Sequence, residues 1–202
     1  MMVPIALLIL AYLIGGIPFG YLLVMLKTGN DVRAMGSGNI GATNVLRTTG
    51  RAFGVLTLLL DIAKGYLAVW LMLHFANGDL RWASAAALAV LVGHAFPVFL
   101  KFKGGKAVAS FVGSFLCLTP AAVGVCAVLF VLIVAWSRYI SLGSILSAAV
   151  FPIVVAFFVY PEWPVIAAAL AASTLVIWRH KSNIERLRAG QENVFRFGGK
   201  KA

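Results

Sequence analysis

Charge is scarce in this chain, and acidic charge is scarcest. Charged residues fill 11% of the 202 positions, six of them Asp or Glu against 17 Lys and Arg, where soluble domains average about 25% charged residues. With 62% hydrophobic residues and a mean hydropathy of +0.99, this excludes a disordered chain, a coiled coil and a cytosolic enzyme. Cysteine is nearly missing. Cys117 and Cys126 lie in apolar runs without the spacing of a zinc site or a disulfide framework, and read as small core hydrophobes. Internal repeats, low-complexity linkers and a separate soluble domain are also missing, so residues 1–202 read as one integral membrane domain. A net charge of +11 in a soluble protein would suggest nucleic acid. In a chain this apolar it reports membrane orientation and anionic substrates or lipids, and no nucleic-acid partner is expected.

Apolar sequence is plentiful, in runs at about 3–26, 53–75, 82–100, 107–136, 139–159 and 164–178. A helix needs roughly 20 residues to cross about 30 Å of hydrocarbon, so 107–136 is long for one span. It holds Thr119-Pro120, and proline is natural at a helix start and costly in a helix interior. The basic residues choose between one crossing and two. Segments 27–51, 101–106 and 179–202 hold 14 of the 17, and the positive-inside rule wants all three in the cytoplasm. A single crossing at 107–136 would put the basic tail outside; two crossings put the three segments and Arg138 inside. The expectation is an all-α polytopic membrane protein with seven transmembrane helices, N-terminus outside, C-terminus cytoplasmic, and a short tail from about 179. The fourth span is the weak one. Residues 107–118 reach only about 18 Å as a helix and must borrow from their flanks or meet a thinned bilayer.

Residues 1–26 begin Met1-Met2-Val3-Pro4, without a basic start, and the positive flank follows them, so they read as a retained first helix and not a secretion signal. Gly15, Gly16, Pro18 and Gly20 would kink that helix and permit close packing. Trp82, Trp136, Trp163 and Trp178 fall near span ends, as interfacial anchors do, with Trp70 about a turn inside.

Three polar clusters stand out against this apolar background, all on the expected cytoplasmic face. The first is Gly36-Ser37-Gly38-Asn39-Ile40-Gly41-Ala42-Thr43-Asn44, followed by Arg47. It spells GxGxxG, but no strand precedes it and no βαβ unit surrounds it, which argues against a dinucleotide site. Its glycines would let backbone N–H groups approach an anion, Ser, Thr and Asn add hydrogen bonds, and a helix starting near Thr43 would aim its positive end there. A flexible connection between spans is the competing reading. The second cluster runs from Gly93-His94-Ala95-Phe96-Pro97 to Lys101-Phe102-Lys103-Gly104-Gly105-Lys106. A kinked helix end with a basic loop explains its lysines but not its paired glycines. Lys103-Gly104-Gly105-Lys106 reads as a second phosphate contact, point charges on a mobile backbone. A lone histidine in an apolar segment is more often a satisfied core residue than a catalyst, and both readings of His94 stand. The third cluster is Arg179-His180-Lys181-Ser182-Asn183 through Glu185 and Gly190 to Glu192. Ser182 and Glu185 fit a capping box, Ile184 and Leu187 share a face and Gly190 is a natural stop, which describes a short amphipathic helix on the membrane surface.

Asp61 and Lys64 stand one turn apart inside the second span, where they neutralise each other at depth or support a polar cavity. His74 to Asp79 spells HxxxxD, the pattern of acyl-CoA-dependent glycerolipid acyltransferases. It falls in the expected outside loop, a membrane thickness from the three clusters, and is set aside as a decoy.

In their order and placement, GSGNIGATN with its following arginine, GHAFPVFLKFKGGK and RHKSNIERLRAGQE resemble the three motifs of the bacterial acyl-phosphate:glycerol-3-phosphate acyltransferase family. LLLDIAKG in span two resembles that family's pattern as well, and the likeness runs from span one to Glu192. The resemblance implies a bacterial inner-membrane enzyme with its active site on the cytoplasmic side. It would move a fatty acyl group from acyl phosphate to the 1-hydroxyl of glycerol 3-phosphate, releasing 1-acylglycerol 3-phosphate and phosphate for phospholipid synthesis. No metal and no organic cofactor are expected; the partners are the two substrates and membrane lipids. By the same resemblance Ser37, Arg47, Lys106, His180, Asn183 and Glu192 are the catalytic set. Gly36, Gly38, Asn39, Gly41, Thr43, Asn44, His94, Lys103, Gly104 and Gly105 are the substrate-binding set. Within these, the first cluster and Lys106 take phosphate, while Asn183 and Glu192, with His180, position glycerol phosphate.

The chemistry is coherent with those residues. An acyl phosphate has a good leaving group, so direct attack by the substrate hydroxyl needs orientation and oxyanion donors more than a covalent intermediate. The acyl chain gains about 0.8 kcal/mol per buried CH₂, a reason for the enzyme to sit in a membrane. His94, His180, Glu192 and a substrate phosphate are the candidate bases. An anion or organophosphate transporter is the alternative class. It would place its binding groups near the midplane, usually between repeats, and neither feature is present. A noncatalytic scaffold would leave the polar glycines and asparagines unexplained.

Overall fold

The computed structural model describes residues 2–160 and 162–195, and every regular element among them is helical. Arg196, Lys200 and Lys201, the last basic residues of the tail, lie outside the described residues. The chain forms two compact units, Met1–Pro120 and Ala121–Ala202.

The first unit contains α1 (Met2–Gly16), α2 (Phe19–Thr28), α3 (Ala42–Thr49), α4 (Arg51–Phe75), α5 (Leu80–Ala95) and α6 (Val108–Leu118). Helix α4 is its centre, packing on α1, α2, α3, α5 and α6. Lipid is as apolar as leucine, so helices in a membrane are held by close packing more than by hydrophobic burial. Glycines supply that approach in reciprocal pairs. A methyl group at Gly15 of α1 would strike the Val90 carbonyl of α5, and one at Gly93 of α5 would strike the Tyr12 carbonyl of α1. Gly65 of α4 and Gly113 of α6 stand in the same relation to the Ser110 and Ile62 carbonyls. The expected kink in the first apolar run lies at Ile17-Pro18, between α1 and α2. There the Ile17 carbonyl accepts a hydrogen bond from Lys64 Nζ at 2.8 Å, and Lys64 Nζ pairs with Asp61 Oδ1 at 2.8 Å. The two charges therefore compensate each other in a buried position, as their spacing suggests.

The second unit contains α7 (Pro120–Ser137), whose first residue belongs to the first unit, then α8 (Ile140–Val159), α9 (Trp163–Arg179) and α10 (Lys181–Arg188). The 107–136 run is divided at Thr119-Pro120, with Pro120 opening α7. Arg138 takes a left-handed φ of 62° in the turn to α8, and its carbonyl accepts the Phe195 N–H at 2.7 Å, tying the tail to that turn. Gly143 of α8 lies against Phe130 and Val134 of α7. Trp82, Trp136, Trp163 and Trp178 all stand in terminal turns of their helices.

Five segments are long and apolar enough to cross a membrane: Met2–Thr28, Arg51–Phe75, Leu80–Leu100, Pro120–Ser137 and Ile140–Val159. Val108–Leu118 and Trp163–Arg179 are shorter apolar helices, and α6, with 11 residues, is the short member the sequence anticipates. One local expectation fails. Ser182 does not cap α10: the helix begins at Lys181, so His180 holds the N-cap position and no side chain caps it. Gly190, with φ 67°, does follow the helix end.

Candidate functional site

The first cluster is a loop folded around one buried amide. Asn44, on the first turn of α3, is 2% exposed. Its Oδ1 accepts the Ser37 N–H at 2.8 Å, and its Nδ2 donates to the carbonyls of Asn39, Met35 and Val32 at 2.8, 3.0 and 3.3 Å. Each end of the amide thus faces groups of the opposite kind, which fixes its orientation. The chain can wrap this closely because Gly36 and Gly38 adopt left-handed φ values of 56° and 71°, and Gly36 lies directly against the Asn44 side chain. Asn39 Oδ1 accepts the Gly41 N–H at 2.8 Å, and α3 starts at the next residue, which leaves the first N–H groups of α3 at the loop. Beneath it a small core of Val24, Val32, Ile40, Val45 and Leu100 anchors the segment, with Tyr21, Met35 and Phe53 at its margin. Ser37 and Arg47 remain exposed and Thr43 half-buried. Asp31 caps the 3₁₀ turn Val32–Ala34 and pairs with Arg33 at 2.6 Å. That bond holds the Asp31 carboxyl below the usual carboxylate range. Arg33 also lies over the Tyr21 ring, so it serves the loop's own structure. A flexible connection is therefore not what the residues build.

The second cluster contributes Leu100 to that same core. Helix α5 ends at Ala95, and the Phe96 carbonyl accepts the Tyr12 hydroxyl at 2.8 Å. After a 3₁₀ turn at Val98–Leu100, Lys101 and Phe102 take left-handed φ values of 52° and 62°, and the chain doubles back over the end of α5. The Gly105 N–H donates to the His94 carbonyl at 3.1 Å. A side chain at Gly104 would collide with the His94 carbonyl and Pro97, and one at Gly105 would meet the His94 ring at Nε2. The paired glycines are there for close approach, and the mobile backbone expected of 103–106 is corrected to a pinned one. Lys106 is half-buried at its end, and Lys103 is exposed.

His94 is 4% exposed and joins a group that sequence spacing did not reveal. Its Nδ1 stands 3.3 Å from Ser110 Oγ and 3.7 Å from Asp61 Oδ1. The one-turn spacing of Asp61 and Lys64 was legible, but Ser110 looks like any small residue of an apolar helix, and only the packing of α6 on α4 and α5 brings it in.

The third cluster is in the second unit. His180 sits at the α9–α10 junction, 3% exposed, with Nδ1 2.7 Å from the Val176 carbonyl. A carbonyl only accepts, so Nδ1 carries a proton, and in the neutral imidazole the lone pair is then on Nε2. Asn183 Nδ2 donates to Glu192 Oε1 at 3.0 Å, and Arg186 Nε donates to Glu192 Oε2 at 2.9 Å. Arg186 had figured only as one basic residue of the tail; its position one turn after Asn183 is the signal that would have found it. Asn183 Oδ1 is buried and has no donor among the described residues, an acceptor suited to a hydroxyl. The HxxxxD decoy is accounted for structurally. Asp79 caps α5 through the Arg81 N–H and pairs with its guanidinium at 2.8 Å, which holds the carboxyl at about 2, and His74 stacks on Trp70.

Among the described residues the chain is all helical, with five segments able to cross a membrane, two Gly-rich loops at helix ends and an Asn183–Glu192–Arg186 group, which defines a polytopic membrane protein with polar sites at its helix ends. The chain belongs to the glycerol-3-phosphate acyltransferase family, whose model matches residues 5–190. Curated glycerol-3-phosphate acyltransferases of Geobacter metallireducens and Syntrophotalea carbinolica are 50% and 48% identical to it. The first match covers 97% of this chain and 100% of its relative, the second 94% and 96%. A crystal structure of PlsY, an integral membrane glycerol 3-phosphate acyltransferase, in its glycerol 3-phosphate form is 38% identical, covers 96% of each chain and superposes with a TM-score of 0.90. The lysophosphatidic acid form of PlsY gives 0.87 at 36% identity, over 96% of this chain and 95% of that one. The protein is thus an integral membrane acyltransferase acting on glycerol 3-phosphate.

Proposed function

We propose that the acyl donor is acyl phosphate and the acceptor the 1-hydroxyl of glycerol 3-phosphate, with 1-acylglycerol 3-phosphate and phosphate as products feeding phospholipid synthesis. The observation that carries this reading is the pair of Gly-rich loops of the first unit resting on one small core. A reaction between two phosphate-bearing substrates requires two anion sites; the first loop leads into the N-terminus of α3, with Arg47 further along that helix, and the second presents Lys106 on a backbone folded over the end of α5. Ser37, Thr43 and Arg47 serve one phosphate, with Gly36, Gly38, Asn39, Gly41 and Asn44 shaping their loop. Lys106 serves the other, with Gly104 and Gly105 holding it and Lys103 adding positive potential.

In the second unit Asn183 is proposed to take a hydroxyl of glycerol 3-phosphate on Oδ1 while Glu192 and Arg186 hold its amide. The substrate hydroxyl attacks the acyl carbonyl, the C–O bond to phosphate breaks with its electron pair, and donors at the loops stabilise the developing oxyanion. Glu192 has both oxygens engaged and His94 is enclosed by Asp61, Ser110 and Gly105. The proton is proposed to go to a substrate phosphate or to a side chain of the third cluster, His180 or Glu192. The chain is read as one acyltransferase domain, 1–202, with seven spans, N-terminus outside, C-terminus and active site on the cytoplasmic side of a bacterial inner membrane. The acyl chain of the donor lies between helices, with its phosphate at the cytoplasmic surface.

The test is to offer the purified protein in lipid glycerol 3-phosphate with either acyl phosphate or acyl-CoA. Product forms from acyl phosphate; product from acyl-CoA alone would overturn the donor assignment.

A further inference from the structure

Charge inside a membrane helix is costly and is retained where it has a task, and Asp61 and Lys64 are used by no step described above. They lead through contacts to Lys106. Lys64 is tethered to the Ile17 carbonyl at the α1–α2 break, with Nζ 5.6 Å from the centre of the Phe19 ring. Asp61, held by Lys64 at 2.8 Å, stands 3.7 Å from His94 Nδ1, and Ser110 Oγ approaches the same nitrogen at 3.3 Å. The other side of the imidazole, at Nε2, lies on Gly105 so closely that no side chain fits, and the His94 carbonyl receives the Gly105 N–H at 3.1 Å. Gly105 is thus gripped by ring and backbone of one residue, and Lys106 is next in the chain. Ala107, at the start of α6, takes a left-handed φ of 61°, so the backbone enters and leaves Lys106 along a constrained path.

We propose that His94 is a positioning residue, not a catalyst: Asp61 and Ser110 set its ring, and the ring sets the Gly104–Gly105 backbone so that Lys106 reaches a substrate phosphate. The inference rests on the phosphate role of Lys106. An imidazole packed at both nitrogens, Nδ1 by Ser110 and Asp61 and Nε2 by Gly105, presents neither to a reacting hydroxyl, whereas a lysine on a pinned backbone loses less freedom on binding an anion than one on a mobile loop.

The test is a double-mutant cycle on the full chain in lipid nanodiscs. Calorimetry measures binding of glycerol 3-phosphate and of a hydrolysis-resistant acyl phosphonate. His94→Gln is expected to weaken at least one ligand about tenfold in the parent protein and less than twofold in a Lys106→Met background. Ser110→Ala, which removes one hydroxyl, follows the same pattern at about threefold and carries the test if His94→Gln does not fold. Unchanged affinity in the single variants, or the same loss in both backgrounds, would overturn the inference. If Lys106→Met itself binds both ligands like the parent, the phosphate reading of Lys106 falls, and this inference with it. A weakened Lys106→Met with an indifferent His94 removes the inference alone.

Discussion

The two units build polar sites by different means. In the first, the backbone is the material: glycines with left-handed φ or no room for a side chain, and a single buried amide, Asn44, bound to four backbone groups. In the second, side chains hold side chains, with Asn183 and Arg186 both donating to Glu192. Backbone N–H groups arranged by a loop suit anions, because they offer positive dipoles at fixed positions. A carboxylate holding an amide suits a neutral hydroxyl, because it fixes which end of the amide is left to accept. The difference fits the proposed substrates, whose phosphates and hydroxyl would need opposite partners.

The comparison breaks most sharply at Asn44. Asn44→Asp keeps the shape and the acceptor toward Ser37 but turns an oxygen toward the three carbonyls of Val32, Met35 and Asn39. Each carbonyl left without a donor costs roughly 1–3 kcal/mol. Turnover is expected to fall by about 10²-fold or more, with a lower unfolding midpoint in detergent. An active, stable variant would show the loop does not depend on its amide. In the second unit the corresponding change is smaller. Arg186 is partly exposed, with 34% of its side chain accessible, so Arg186→Met leaves Asn183 and Glu192 bonded. An approximately tenfold loss of activity is expected, expressed in the KM for glycerol 3-phosphate. A rise confined to the KM of the acyl donor would reassign the third cluster. The smallest effect belongs to the decoy. Asp79→Ala should leave turnover unchanged and remove only a helix cap. Its folded carboxyl lies at about 2, below the ordinary 3.8. The stabilisation it gives is therefore full above pH 3.8 and lost as pH falls through about 2, and thermal melts of parent and variant should converge there.

Much of this was legible in residues whose physics is local. Pro18 and Pro120 each stand at a boundary between helices, so the kink in the first apolar run and the division of 107–136 were readable, although Pro152 shows that proline alone does not end a helix, since it lies inside α8. Ser182 misled because a capping box is defined by spacing alone, and His180, as the junction of α9 and α10, took the N-cap position. Gly104-Gly105 misled in another way. Glycine pairs permit both mobility and close contact, and which one holds depends on His94, ten and eleven residues earlier in the chain. Ser110 was invisible for the same reason, since its meaning comes from a neighbouring helix.

Arg47 and Lys106 of the first unit are proposed to bind substrate phosphate, while most of the remaining positive charge serves orientation and structure. The direct measurement is steady-state turnover, in lipid and with acyl phosphate and glycerol 3-phosphate, of Arg47→Ala, Lys106→Ala and His74→Ala side by side. Losses of about 10²–10³-fold or more are predicted for the first two, with the third unchanged. Near-parent rates in Arg47→Ala and Lys106→Ala, or loss of activity in His74→Ala, would contradict it.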